Sequence, residues 1–165
     1  MMTKPMWLSA LAALLFGVSV SSQEKEKNKI PESVQTILHK ADAIELYSLD
    51  PSRPKDKPKD DFRGWRVLGK TTVKDADTRK AMVAAVVKGV EDNKGIAANC
   101  FNPRHGIRAT HDGKSVDLVI CFECMQVQGY LDKSEKSDVH FLVTKTPQDA
   151  FDKVLKAAKV PLPEN

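Results

Sequence analysis

A tight turn at Asp112-Gly113 constrains the fold of this chain more than any other feature of its sequence. Asp-Gly pairs adopt the positive φ angles of two-residue β-hairpin turns, so two strands should pair outward from this point. The pairing sets an arginine opposite an aspartate and apolar residues opposite apolar residues, which supports one register, because a slip by one residue would exchange the two faces. The four rungs are Thr110–Ser115, Ala109–Val116, Arg108–Asp117 and Ile107–Leu118.

Side chains alternate between two faces along the second strand of this hairpin. One face carries Val116, Leu118, Ile120 and Phe122. The other face carries Asp117, Val119, Cys121 and Glu123. Alternating or β-rich segments predict further strands at 43–49, 62–73, 125–131 and 139–143.

Apolar residues spaced three and four apart predict three helices. The first begins at Pro31, which suits a first helical turn. The second follows a cap at Asp75 or Asp77 and has its body at 79–91. The third begins near Thr146, with a proline and an acidic first turn after the cap.

The predicted order is helix, strand, strand, helix, four strands, helix. Consecutive strands joined by short turns favour an α+β fold in which an antiparallel β-meander carries helices on one face. From the second strand onward, the order β-α-β4-α resembles TATA-binding-protein-like folds, with an extra helix and strand at the N-terminus. The resemblance is one of element order, and it transfers no function.

The first 22 residues have the pattern of a cleaved signal peptide. Lys4 precedes an apolar run at 7–20, which is shorter than the roughly 20 residues that span a bilayer. Small serines follow, and we expect cleavage near Ser22; an uncleaved membrane anchor is the alternative. Export would take the protein to the periplasm or out of the cell, with no membrane insertion after cleavage.

The rest of the chain is predicted to be a flexible leader at 23–30 and one α+β domain at 31–163, with an exposed, charged, proline-rich loop at 50–61. A net charge of +4 and an aromatic content of 6% are too low to indicate a nucleic-acid partner. The sequence contains no phosphate-binding glycine loop and no hydrolase or metalloprotease motif, so it assigns no catalytic residue.

Three cysteines within 25 residues are the main candidates for chemistry. They are Cys100, Cys121 and Cys124. Extending the hairpin register places Arg104 near Cys121 and His105 near Ile120, so that Cys100 can fold back towards the other cysteines. We therefore expect the three sulfur atoms to converge.

Four interpretations of the cysteines remain open. The favoured one is a disulfide that joins Cys100 to Cys121 or Cys124, which would close a loop of about 20 residues and stabilise the fold by about 3 kcal/mol. A metal site would use Cys100, Cys121, Cys124 and His105 as ligands for zinc or copper. Thiol-dependent redox or nucleophilic catalysis and a fully reduced, buried core are the other two.

A binding patch is a further hypothesis for the same region. Its members are Arg104, His105, Glu123 and Gln126. Exposed strand positions without a binding role are the simpler interpretation of Glu123 and Gln126.

The segments CFNPRHGIR and VDLVICFEC resemble motifs of uncharacterised secreted bacterial proteins of planctomycete type. The resemblance covers residues 97–126, and since that group has no established activity it implies none here. We therefore expect an exported, non-enzymatic binding or structural module stabilised by a disulfide. A zinc- or copper-binding or thiol-dependent protein is the alternative.

Overall fold

The computed structural model describes residues 28–53, 55–56, 58–132 and 134–164. The predicted signal peptide lies outside these residues. The helices in this part of the chain are α1 (Glu32–Lys40), α2 (Ala76–Asp92) and α3 (Gln148–Ala157). The strands are β1 (Ile44–Leu49), β2 (Asp61–Phe62), β3 (Trp65–Val73), β4 (His105–His111), β5 (Lys114–Cys121), β6 (Gln126–Leu131) and β7 (Val139–Leu142).

The strands form one antiparallel sheet in the order β2-β3-β1-β4-β5-β6-β7, and the α+β class is confirmed. The meander holds from β4 to β7. It does not extend to β3, because β1 lies between β3 and β4. The chain therefore passes through α2 and re-enters the sheet beyond β1.

The β4–β5 hairpin has the predicted register at all four rungs. Asp112 and Gly113 have φ angles of 49° and 72°, as this turn requires. The polar rung is an ion pair in which Arg108 donates two hydrogen bonds to Asp117, at 2.7 Å and 2.6 Å. Arg63, from the β2–β3 turn, donates a third to the same carboxylate at 2.6 Å.

The three helices cover one face of the sheet and bury the main core against it. Apolar residues of every helix and of the central strands contribute to this core. Examples are Val34, Leu38, Met82, Val86, Phe151, Leu155, Ile44, Ile107, Leu118 and Ile120. No helix that the structure describes is both long enough and apolar enough to cross a bilayer.

The second face of the sheet has a smaller apolar cluster and no helix from the described part of the chain. Phe62 of β2 folds over this face, where its ring stacks on Tyr47 with 4.2 Å between the centroids. Gly106 makes the close approach possible, because a Cβ atom there would lie 2.7 Å from the Phe62 ring. The cysteines lie at one end of this more thinly covered face.

Candidate functional site

The connection between β5 and β6 is a tight turn that carries two of the three cysteines. Cys121 ends β5, and Gln126 begins β6 directly opposite it. Met125 closes the turn with a hydrogen bond of 3.2 Å to the carbonyl of Phe122 and has a φ angle of +59°. The Cα atoms of Cys121 and Cys124 are thereby brought to 5.2 Å.

Cys121 and Cys124 form a disulfide. This corrects the favoured prediction, in which Cys100 was one partner of the bond. The turn explains the difference, since it brings residues three apart to a separation that suits a disulfide. Cys100 is the free cysteine of the described residues. Convergence of the cysteines was predicted correctly, because all three Sγ atoms lie within 4.8 Å of one another.

A loop that precedes β4 holds Cys100 beside the turn; we call residues 98–104 the Cys100 loop. The backbone N–H of Ala98 donates to the carbonyl of Cys124 at 3.0 Å. The side-chain amide of Gln126 donates to the carbonyls of Ala98 and Cys100, at 2.6 Å and 3.0 Å. These hydrogen bonds join the start of the loop to the turn and to the first residue of β6.

Backbone N–H groups point at two of the sulfur atoms. The N–H of Cys124 donates to Sγ of Cys121 at 3.1 Å, and the N–H of Asn102 donates to Sγ of Cys124 at 3.4 Å. Donors in these positions favour negative charge on sulfur, which is the state that binds metals and attacks disulfides; the carbonyl oxygen of Asn102, 3.4 Å from Sγ of Cys121, opposes it at that sulfur. Both sulfurs of the bond are buried, with residue exposures of 0%, whereas Cys100 is exposed.

His105 does not join the cysteines. It pairs with Ile120 in the sheet and therefore faces the helices, while Cys121 is the next residue of β5 and faces the other way. Its Nε2 atom lies 2.8 Å from the carboxylate of Asp152, and its ring is buried between Phe122 and Phe151. The structure therefore does not bring this predicted ligand together with the three sulfur atoms.

The imidazole of His105 affects the acid that it contacts. The hydrogen bond from His105 lowers the pKa of the Asp152 carboxyl below its ordinary value, against the opposing effect of burial. Sequence reasoning missed Asp152. Its neighbour Phe151 marks the buried stripe of α3, but nothing local indicates which strand residue an adjacent carboxylate will meet.

Three members of the predicted binding patch surround the cysteines. Arg104 and Glu123 form an ion pair of 2.6 Å from the Cys100 loop to the β5–β6 turn. The side-chain amide of Gln126 donates hydrogen bonds to backbone carbonyls of the same loop. His105 lies on the opposite face of the sheet and is not part of this patch. The structure thus gives Arg104, Glu123 and Gln126 a role in holding the loop and the turn together.

Comparisons of the chain with protein-family models, with curated proteins and with solved structures found no match.

Proposed function

We propose that the three cysteines, when all are reduced, bind one thiophilic metal ion, with copper(I) preferred over zinc. Sulfur atoms that share one such ion at about 2.3 Å lie about 4 Å from one another. The three Sγ atoms of Cys100, Cys121 and Cys124 already lie within 4.8 Å. This convergence of three sulfurs from two segments is the observation that carries the proposal.

The donor set supports the choice of ion. Thiolates are soft ligands that select copper(I) and zinc over the harder divalent ions. A structural zinc site takes four protein ligands, and the fourth candidate, His105, faces the other side of the sheet. Copper(I) is satisfied by three sulfurs, whereas zinc would need a ligand from solvent on the side of the exposed Cys100.

The hydrogen bonds to sulfur also support this function. Groups that donate to a metal ligand fix its orientation and tune its charge. Cys124 and Asn102 supply backbone donors to two of the three sulfurs. These donors belong to the turn and to the loop, so they need no side-chain rearrangement when the disulfide opens.

A structural disulfide is the second candidate, and the bond between Cys121 and Cys124 favours it. Its expected contribution to stability is small, however. A bond between residues three apart stabilises the folded state by about 2 kcal/mol, because it restricts the unfolded chain, and this is less than the stabilisation expected from the predicted bond to Cys100. It also joins no distant segments, so metal chemistry accounts better for the presence of the third cysteine.

We further infer that the protein is exported into an oxidising compartment. The pattern of the first 22 residues supports export. A disulfide agrees with this inference, since such bonds persist outside the reducing cytosol.

Metal titration of the reduced protein tests the proposal. The protein is reduced, freed of reductant without air, and titrated with copper(I) or zinc while bound metal is measured by elemental analysis and native mass spectrometry. We expect one ion per chain for the wild type and no tight binding after Cys121→Ser or Cys124→Ser. His105→Gln is the matched control, and it should bind like the wild type.

Two results would overturn the proposal. One is tight binding that persists in the folded cysteine variants. The other is loss of the ion from folded His105→Gln, which would return the histidine to the ligand set. Circular dichroism on each variant separates loss of metal from loss of fold.

A further inference from the structure

The disulfide is sealed from solvent, which restricts how it can react. A thiolate must reach a sulfur atom of a disulfide in order to attack it. Cys121 and Cys124 each have an exposure of 0%, so a small thiol in solution has no direct approach to either sulfur. Cys100 is exposed, and its sulfur lies within 4.8 Å of both.

We propose that Cys100 is a relay thiol through which external thiols reduce the Cys121–Cys124 disulfide and external disulfides form it again. It is the one cysteine of the described chain that meets both solvent and the buried bond. External thiols and disulfides can thus exchange with the buried pair of cysteines through Cys100.

The reaction consists of balanced thiol–disulfide exchanges. The Cys100 thiolate attacks one sulfur of the buried disulfide, forms a new S–S bond to it and releases the other cysteine as a thiolate. An external thiolate then attacks the sulfur of Cys100, which frees the second cysteine and leaves a mixed disulfide on Cys100. A second external thiolate removes that group, so two external thiols become one external disulfide. The reverse sequence uses an external disulfide as the oxidant.

Both possible leaving groups have a hydrogen-bond donor in place. If Cys100 attacks Cys124, the departing Cys121 thiolate keeps the N–H of Cys124 at 3.1 Å. If it attacks Cys121, the departing Cys124 thiolate keeps the N–H of Asn102 at 3.4 Å. A donor that stabilises the leaving thiolate speeds exchange.

The relay acts on the three cysteines for which we proposed metal binding. A role in reducing these cysteines before they bind metal rests on that proposed function, whereas the thiol–disulfide exchange itself does not depend on metal. The relay operates in the oxidised, metal-free protein, whereas the titration above uses the fully reduced protein. Each proposal therefore fails on a different sample and a different readout.

The test compares the rates at which glutathione reduces the buried disulfide in wild type and Cys100→Ser, with a chelator present. Samples are quenched with iodoacetamide over time and read by intact mass and peptide mapping. Without the relay, an external thiol must wait for local opening of the loop, and we expect reduction to slow by about tenfold or more. The wild type should also show a glutathione adduct on Cys100.

Asn99→Ser is the matched control, since it changes an exposed residue of the same loop and keeps the thiol. It should be reduced at the wild-type rate. In denaturing guanidinium the difference between wild type and Cys100→Ser should disappear, which shows that both carry the same bond. Equal rates for the two folded proteins, or a first glutathione adduct on Cys121 or Cys124, would overturn the relay.

Discussion

Replacement of Gln126 by alanine should open the Cys100 loop more often and lower the copper(I) affinity of the reduced cysteines, without unfolding the domain. The side-chain amide of Gln126 is the only side-chain group from β6 in the described residues that hydrogen-bonds to the Cys100 loop, and it donates to the carbonyls of Ala98 and Cys100. Alanine removes both bonds and leaves the strand pairing with Cys121 intact. The loop then keeps its backbone contacts to Cys124 and its apolar contact through Phe101.

The size of the effect follows from the two lost hydrogen bonds. A hydrogen bond of this kind contributes about 0.5–1 kcal/mol when water competes for it. Two of them give about 1–2 kcal/mol, which raises the open population of the loop by about 5- to 30-fold. Cys100 is near the other sulfurs only in the closed loop. The affinity of the reduced cluster for copper(I) should therefore fall by up to that factor, whereas direct reduction of the disulfide in a Cys100→Ser background, which requires the open loop, should rise by about that factor.

Gln128→Ala supplies the control for this experiment. Gln128 lies two residues further along β6, on the same face, and its side chain contacts the hydroxyl of Tyr130 instead of the loop. Affinity is measured by competition with a chromophoric copper(I) chelator, and the rate is measured by the alkylation assay above. If Gln126→Ala matches Gln128→Ala in both, the loop is not held by this side chain and the reasoning fails.

Two further predictions concern the framework that supports the site. Asp117→Asn leaves two guanidinium groups without their buried carboxylate, so we expect it to lower the free energy of unfolding by about 3 kcal/mol in urea titrations. The control, Asp42→Asn at an exposed position, should cause no measurable change. An equal effect of both substitutions would contradict the role of the ion pairs. Asp152→Asn tests pH dependence. A carboxyl whose pKa is lowered by folding stabilises the protein at pH values above its ordinary pKa of 3.8, and this stabilisation is lost as the pH falls through its pKa in the folded protein. The variant should therefore be less stable than wild type near neutrality, and the difference in stability should disappear below the folded pKa. A gap that stays constant into acid would show that His105 does not depress this pKa.

The parts of the fold that the sequence predicts are those fixed by local geometry. A two-residue turn at Asp112-Gly113 leaves one register that pairs the arginine with the aspartate, and the structure has it. The position of β1 between β3 and β4 has no comparable local signal. It depends on how α2 packs over the sheet, and that packing involves residues far apart in sequence.

The candidate site also combines features that local geometry predicts with features that it does not. Convergence of the cysteines followed from the register, but their pairing depended on the turn after Cys121, where strand alternation no longer applies. Met125 adopts a positive φ there without being glycine or asparagine, so the sequence carried no turn signal. His105 is a different case. The register already placed it with Ile120, and alternation alone separates it from Cys121.

The placement of the cluster explains how it can react while the domain stays folded. Three helices seal one face of the sheet, whereas the cysteines lie on the other face, beneath an exposed loop. Hydrogen bonds to the turn and to Gln126, rather than the main apolar core, hold that loop, so we expect it to open at a lower free energy than the core. Cys121 and Cys124 belong to the rigid part and Cys100 to the loop, so loop opening changes the distance between thiol and disulfide but not the turn itself. If the cluster reacts as we propose, we expect the local opening of this loop to control its chemistry, and mutations in the main core should change global stability without changing the ratio of the open and closed loop states.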